Sequence, residues 1–436
     1  ALSHPGARYG HPETLKEKQT LILFAAAALV CSAVAIYFVT REQKPAWPPP
    51  NRPGIAGRVD HYQCNRCHDA IDKLEPAPRD KHCVKCHQAV FAGAFDEDYP
   101  TAKLARWKRR IKHLRDVPTL TDVGGRLRRE WMVEYLLSPH DLRPGVEAQM
   151  PRFAMTREDA EAITTYFMGA PQALEGSAAK DGAPSEELVE ADPSRGQTRM
   201  GQLGCMSCHR MTGGPEVPAS AIPSDISGAA LARAVKLATD LAHTRERMEP
   251  DAVRQWLKDP KSLKRDALMP KIEMSAQDAA DSAAFILETP LEAPEKDLKP
   301  PERLPLLERD IHWPEVEERV FKHICWHCHS DPAPVGGDGG PGNTGGLGFA
   351  GKGLDLGTYA AVKRGGVDAA SGERFDILSP RPGSDMPRVV EHMMARHVEV
   401  AGGEVEGVRG MPLGLPPMSM KQIQLVESWI AQGARE

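Results

Sequence analysis

The chain has 436 residues, of which 26% are charged, and a formal net charge of −5, so its length allows several domains of roughly 100 to 150 residues. The near balance of charge excludes both the strongly basic surface of a nucleic-acid-binding protein and a long acidic tail. Aromatic residues make up only 6%, whereas Gly and Pro number 38 each, which favours small helical domains joined by irregular loops.

The first predicted element is an uncharged apolar stretch at 21–39 (LILFAAAALVCSAVAIYFV). It is long enough to cross the hydrocarbon core of a bilayer as a helix, and we predict a transmembrane anchor at 18–40 after a cytoplasmic tail at 1–17. A cleaved signal peptide is the alternative, although its apolar region is usually shorter. The Pro-rich segment 41–57 is predicted to be a stiff linker.

After this stretch the pattern C-x-x-C-H occurs four times and uses eight of the nine cysteines. The motifs are Cys64, Cys67 and His68; Cys83, Cys86 and His87; Cys205, Cys208 and His209; and Cys325, Cys328 and His329. The pattern is that of c-type haem attachment: two thiols at i and i+3 share one helical face, and the adjacent imidazole binds iron. We therefore expect four covalently bound haem c groups.

Two other interpretations of these cysteines are weaker. The spacing from Cys64 to Cys86 also satisfies a zinc ribbon, but zinc does not require a His after each second Cys, and the other two motifs have no partner nearby in the sequence. Disulfide pairing would leave four histidines unexplained.

Covalent attachment of haem at such motifs takes place on the oxidising side of a membrane. The predicted location is therefore the inner (cytoplasmic) membrane, with a single span, a cytoplasmic N-terminus and periplasmic haem domains. This location gives no role to nucleic acid as a partner.

Two polar linkers, at 172–190 and 293–307, divide the rest of the chain into three units. The predicted units are a domain with two motifs at 58–171, a domain with one motif at 191–292 and a second domain with one motif at 308–436.

Within the first unit, residues 103–115 (KLARWKRRIKHLR) place Leu104, Trp107, Ile111 and Leu114 on one helical stripe among Lys and Arg. We interpret it as an amphipathic surface helix; attraction to anionic lipid or to an acidic partner is the functional alternative.

The segments 128–167 and 248–286 repeat one pattern: a Trp, a Pro, a Met-Pro pair and then an amphipathic helix. Thr156 with Asp159, and Ser275 with Asp278, predict a capping box at the start of each of those helices.

A C-x-x-C-H motif followed 60 to 85 residues later by Met-Pro and a terminal amphipathic helix resembles class I cytochrome c, and the resemblance covers all three units. It implies a mainly α fold: one N-terminal transmembrane helix followed by three small helical cytochrome c-like domains, the first dihaem and the other two monohaem. In that family the motif His and a downstream Met bind iron from opposite faces.

Carried over to this sequence, the resemblance implies Met269 for the third haem and Met411 for the fourth. Because 63 residues separate His87 from Met150, close to the 60 between His209 and Met269, we assign Met150 to the second haem. The fourth assignment stays open, since other candidates lie close to Met411 in the sequence, namely Met418, Met420, His392 and His397. For the first haem we expect a histidine, with His113 favoured, His82 next and His61 third.

The expected function is electron transfer by a membrane-anchored tetrahaem cytochrome, with no catalytic residues of its own. The expected donor is a quinol-oxidising cytochrome b and iron–sulfur complex, and the acceptor a soluble cytochrome, a reaction centre or a terminal oxidase. The chain would then be an electron-transfer subunit of a hetero-oligomeric respiratory or photosynthetic complex. The alternative is a multihaem redox enzyme, of the peroxidase or nitrogen-oxide reductase type, that keeps one iron open.

Overall fold

The computed structural model describes residues 54–69, 77, 82–146, 150–153, 155–169, 190–218, 220, 227–292, 299, 301–330, 353–367 and 371–436. In these ranges no helix combines the length and the apolar character that crossing a membrane requires. The predicted fold class is corrected accordingly: the described residues are mainly helical, and no helix among them meets the requirements of the predicted transmembrane helix. The predicted tail, the stretch 18–40 and Cys31 lie outside the described residues.

Eleven longer α-helices carry the described fold. They are α1 (Ile55–Tyr62), α2 (Cys83–Phe91), α3 (Thr101–Ile111), α4 (Arg129–Leu137), α5 (Arg157–Met168), α6 (Pro193–Gln202), α7 (Gly228–Leu237), α8 (Pro250–Lys258), α9 (Ala276–Glu288), α10 (Arg388–Val400) and α11 (Met420–Ala431). Shorter helical segments are Thr244–Arg247, Pro260–Leu263, Trp313–Val316, the π-helical Glu317–Cys325, Trp326–Cys328 and Tyr359–Arg364. Two short strands, β1 (Gly366–Val367) and β2 (Arg374–Phe375), pair antiparallel.

Both predicted capping boxes are confirmed. The Thr156 hydroxyl accepts a hydrogen bond from the Asp159 backbone N–H at 3.1 Å at the start of α5. Ser275 accepts from the Asp278 N–H at 3.0 Å at the start of α9. In each box the Asp carboxylate accepts the N–H of the capping residue in return, so two otherwise unpaired N-terminal donors are satisfied.

The first two cores are built on one plan. A helix that precedes a C-x-x-C-H motif crosses the last helix of the unit: α1 packs against α5, and α6 packs against α9. A third helix completes each core: α4 packs against α5, and α8 packs against α9. An antiparallel backbone bridge between Leu127 and Met248 joins the two units.

The crossing of α6 and α9 depends on a glycine. A Cβ at Gly196 would lie 2.0 Å from the Asp281 carbonyl oxygen and 2.9 Å from the Phe285 Cβ, so only glycine permits this approach. Asp281 is itself buried and accepts hydrogen bonds from the Arg195 guanidinium at 2.8 and 2.9 Å.

The helices α2 and α3 form an inserted pair between the first motif and α4. The buried residues Leu104 and Trp107 of α3 pack against Val90 of α2, with Ile111 beside them. Three of the four predicted stripe residues, Leu104, Trp107 and Ile111, therefore pack toward α2, whereas Leu114 lies beyond the end of α3. The second motif lies on the first turn of α2, so this insertion carries a motif of its own.

The third unit has its core around two tryptophans. Trp313 and Trp429 have ring centres 5.6 Å apart, and Phe321 of the π-helical segment lies 5.3 Å from Trp313. The helices α10 and α11 pack against each other beside them. This core keeps the end of the π-helical segment, where the fourth motif begins, in one position.

Candidate functional site

All four C-x-x-C-H motifs line one cavity of about 1430 Å³. This volume exceeds the roughly 300 to 1,000 Å³ of a pocket for one drug-sized ligand. Its walls are mostly apolar, and they include Met150, Met269 and Met411. The cavity therefore has the size and the lining for more than one large apolar group.

The first and third motifs have the same local backbone. Each begins with a 3₁₀ turn, Cys64–Arg66 or Cys205–Ser207, and in each the N–H of the motif His donates to the carbonyl of the first Cys, at 2.9 and 3.1 Å. The residue before the turn is left-handed in both: Gln63 at φ 51° and Gly204 at φ 70°. In the first motif both thiols and the imidazole line the cavity, and in the third motif Cys208 and His209 line it.

The second and fourth motifs have different settings. Cys83 is the first residue of α2, so this motif opens a helix, whereas Cys325 ends the π-helical segment. The His329 N–H still donates to the Cys325 carbonyl at 2.9 Å. The sequence pattern alone does not distinguish these settings.

All four motif histidines are held in the same way. The Nδ1 of His68 donates to the Pro118 carbonyl at 2.7 Å, and the Nδ1 of His87 donates to the Leu114 carbonyl at 2.8 Å. The corresponding bonds run from His209 to Thr239, at 2.8 Å, and from His329 to Leu354, at 3.4 Å. A carbonyl only accepts, so Nδ1 carries the proton and Nε2 is the nitrogen available as a metal ligand.

Burial keeps these imidazoles in the form that binds metal. It lowers the pKa of His68, His209 and His329 from the usual value, and it outweighs the opposite effect of their carbonyl partners. For His329 the charge of nearby His392 acts in the same direction. Neutral imidazole is the ligand form of histidine.

None of the eight motif cysteines forms a disulfide bond. Burial raises the pKa of Cys64 and Cys325 to about 12 and that of Cys205 to about 11. Cys67 of the first motif and Cys83 of the second hydrogen-bond to each other, which lowers the pKa of Cys83 and raises that of Cys67. The thiols of two different motifs therefore lie close to each other.

The cysteines of the first two motifs are not arranged around one point as the ligands of a zinc ion are. In the described part of the chain, the only three His, Cys, Asp or Glu side chains close enough together to share a metal ion are His140, His243 and Glu246. The cysteines from Cys64 to Cys86 form no such group, although a zinc ribbon requires four ligands around one ion.

The predicted methionine ligands lie in or beside the cores. Met269 packs in the core that contains Cys205, and the Trp256 Nε1–H donates to its sulfur at 3.0 Å. Met150 packs in the core that contains Cys64, which is the first motif and not the second. The 63 residues between His87 and Met150 include the rest of α2 and all of α3. The length of this interval therefore does not show which motif Met150 lies near.

At the fourth motif, His392 is a second candidate for the axial ligand beside Met411. Both residues line the cavity, and the Met411 N–H donates to the His392 carbonyl at 2.8 Å. The His392 Nδ1 donates to the Arg409 carbonyl at 2.6 Å, the same arrangement as in the motif histidines. His397 instead uses its Nε2, which donates to the Met418 carbonyl at 2.8 Å.

The predicted histidine ligands of the first haem are dispersed. His82 caps α2, where its Nδ1 accepts the Lys85 N–H at 3.3 Å and its Nε2 lies 3.3 Å from an Asp69 carboxylate oxygen; it does not line the cavity. His113 and His61 do line it. His327, inside the fourth motif, was not singled out from the sequence; its ring centre lies 6.2 Å from that of His87.

Paired thiols, imidazoles with Nδ1 anchored and apolar walls together fit covalently attached haem. Residues 193–290, which include the third motif and Met269, match the family model for cytochrome c. No curated protein and no solved structure matches the chain. The chain thus contains a c-type cytochrome domain, and such a domain carries covalently bound haem c and takes part in electron transfer.

Proposed function

We propose that this chain is a multihaem c-type cytochrome that holds four haem c groups and relays electrons between protein partners. The observation that supports it best is that all four motif histidines donate the same kind of hydrogen bond, from Nδ1 to a backbone carbonyl. Only the third motif lies in the range that matches cytochrome c, yet His68, His87 and His329 have their Nδ1 fixed on a backbone carbonyl as His209 does.

Each group of residues has a physical task in this proposal. The paired thiols fix the porphyrin edge, the carbonyl-bound imidazoles present Nε2 from one orientation, and the apolar walls exclude water. When bound, each haem would supply an iron that gains and loses one electron. The positions of the haems relative to one another are then set by the protein and not by diffusion.

Contacts between the units support a relay in an order that differs from the order along the chain. The bridge between Leu127 and Met248 joins the second core to the first. The contact of Cys67 with Cys83 joins the first motif to the second. We therefore propose the sequence third, first, second and fourth motif for electron passage.

For the second axial ligands we propose Met150 for the first motif and Met269 for the third, on the packing given above. For the fourth we propose His392, because its ring is held like a motif imidazole and lies near His329. A thioether favours ferrous iron and raises the potential, and a second imidazole lowers it.

The proposed donor is a quinol-oxidising complex, and the proposed acceptor is a soluble cytochrome, a reaction centre or a terminal oxidase. This part of the proposal rests on the motifs alone. Gentle purification followed by identification of copurifying subunits tests it; a protein that purifies alone at every ionic strength contradicts a stable complex.

A haem count tests the main proposal. A pyridine haemochrome assay with protein mass should give four haems per chain, and a Cys-to-Ala pair at any one motif should remove one. The reduced protein should bind no carbon monoxide, because every iron has two protein ligands. One carbon monoxide bound per chain would favour the open-iron enzyme instead, and a count below four would overturn the tetrahaem proposal.

A further inference from the structure

We propose that His327, which lies between the two cysteines of the fourth motif, is the second axial ligand of the iron that His87 binds. The inference rests on the proposed function in one respect, namely that a haem is attached at Cys83 and Cys86. It adds a ligand that neither the motif pattern nor the cytochrome c match supplies.

The separation of the two rings is the first observation. Their centres lie 6.2 Å apart with 41° between the ring planes. Two imidazoles that bind one metal ion from opposite sides, with bonds of about 2 Å, have ring centres roughly 6 Å apart. The directly packed pair His140 and His243 is closer, at 5.2 Å.

The backbone brings these rings together from two different units. The Arg110 guanidinium of α3 donates to the Lys322 carbonyl at 2.6 Å, which attaches the inserted pair of helices to the segment before the fourth motif. His87 and His327 both line the cavity. The position of His327 beside the second motif also affects Cys83, whose pKa its charge helps to lower.

The direction in which His87 is held disfavours the nearest alternative from its own unit. The His87 Nδ1 donates to the Leu114 carbonyl, so the backbone that follows α3 is bound at Nδ1 and not at the ligand nitrogen Nε2. His113 directly precedes Leu114 on that stretch of backbone. His82 is turned toward Asp69, with its Nε2 3.3 Å from the carboxylate. His327 is the remaining histidine with a measured ring contact to His87.

The inference gives His327 two structural connections. It belongs to the peptide that carries Cys325 and Cys328, and its ring would hold the iron of the neighbouring haem. The second and fourth haems would then be linked through one residue, which is consistent with the proposed order of electron passage. The second site would have two imidazole ligands and hence a lower potential than a His/Met site.

The test uses the full haem-loaded protein and four variants: H327A, H327M, and the controls H113A and H323A. His323 lies one turn before His327 and also lines the cavity. The haem count is measured first, then the spin state of the oxidised protein by electron paramagnetic resonance, carbon monoxide binding of the reduced protein and a redox titration.

We expect H327A to keep the parent haem count while one haem equivalent becomes high-spin and binds carbon monoxide. Added imidazole should restore the low-spin signal. H327M should stay low-spin, with the potential of one haem raised. Both control variants should keep the parent spectrum.

Three results would overturn the inference: unchanged spin state and potentials in H327A and H327M, the expected changes in H113A instead, or a parent protein without any bis-imidazole signal. The last measurement needs no variant and so holds even if the substituted chains fail to assemble. Failure of the proposed function is a separate result, because it appears as the absence of haem from the peptide with Cys83 and Cys86.

Discussion

At the scale of single residues, the hold on histidine and methionine side chains is what distinguishes a haem ligand from a core residue. Met269, the proposed ligand of the third haem, is an example. Its sulfur accepts the Trp256 N–H at 3.0 Å, so the side chain is oriented by a polar contact in addition to packing in its core.

Replacing this sulfur should change one haem selectively. M269H should lower the potential of one haem, within the span of about 0.8 V over which axial ligands set haem potentials, and should abolish the optical band of sulfur-bound ferric iron for that haem. The control is M274L, because Met274 packs against the same core. Equal spectra and potentials for M269H and the parent would exclude Met269 as a ligand.

A buried carboxylate gives the second unit a dependence on pH. Hydrogen bonds from Arg195 lower the pKa of Asp281, below the usual value near 4. A carboxyl group whose pKa is lower in the folded state than in the unfolded state stabilises the fold at any pH above its unfolded-state pKa. This stabilisation is lost as the pH falls through the folded-state pKa.

D281N should therefore lower the melting temperature at pH 7 and reduce the loss of stability that the parent shows as the pH falls below the usual carboxyl pKa of about 4. Thermal unfolding followed by circular dichroism at several pH values measures both effects. The exposed Asp251 provides the control, D251N. A parent and a D281N variant that lose stability in parallel over this pH range would contradict the assignment.

At the scale of elements, the sequence predicts helix caps but not the contacts between helices. The capping boxes of Thr156 and Ser275 are local signals, and they start α5 and α9 where the sequence indicates. Contact between distant residues is not local: the spacing from His87 to Met150 does not show that Met150 packs against the core that Cys64 also contacts.

The glycine at the crossing of α6 and α9 in the second unit, Gly196, allows no side chain because of the backbone opposite it. G196A should destabilise this unit by about 1 to 3 kcal/mol, because a Cβ there meets backbone that cannot move away. A shift in the melting temperature of 4 to 8 °C per kcal/mol is expected for a domain of roughly 100 residues.

The matched control lies on the same helix. At Gly201 a Cβ would make only ordinary contacts, 3.5 Å from the Val217 Cγ1 and from the Pro218 carbonyl oxygen. G201A should be neutral or slightly stabilising, because alanine favours a helix by up to about 1 kcal/mol over glycine. The crossing argument fails if the two variants melt alike.

In the third unit a buried ion pair fixes the loop beside the fourth motif. Arg396 lies 3.0 Å from a Glu399 carboxylate oxygen, and its Nε donates to the Leu415 carbonyl at 2.7 Å. Glu399 also accepts the Gly410 N–H at 2.7 Å. The pair therefore ties α10 to the loop that contains Met411.

R396M should destabilise the third unit by about 3 to 5 kcal/mol, since it leaves the Glu399 charge buried without its partner. The double variant R396M/E399Q should recover part of this loss, because it removes the charge and keeps an acceptor for Gly410. Chemical unfolding of the three proteins provides the measurement. Equal stability of R396M and the double variant would show that the unpaired charge is not the cause.

At the scale of the whole molecule, the units connect in an order that the sequence does not display. The C-x-x-C-H pattern identifies every proposed attachment point, because three residues close together in the sequence define each one. The order of contact depends on the bridge between Leu127 and Met248 and on the approach of Arg110 to Lys322. Both join residues more than 100 positions apart in the sequence, and no periodicity indicates such pairs.

The proximity of the Cys67 and Cys83 thiols matters before any haem is attached. Thiolates form disulfides readily in an oxidising compartment, and Cys83 is at the start of a helix, with its pKa lowered to about 6 by the Cys67 hydrogen bond. A newly made chain could thus cross-link two neighbouring attachment sites and block both. Maturation should depend on a reductant or on early loading of one of these two motifs, and mass spectrometry of chain produced without haem should find the Cys67–Cys83 bond.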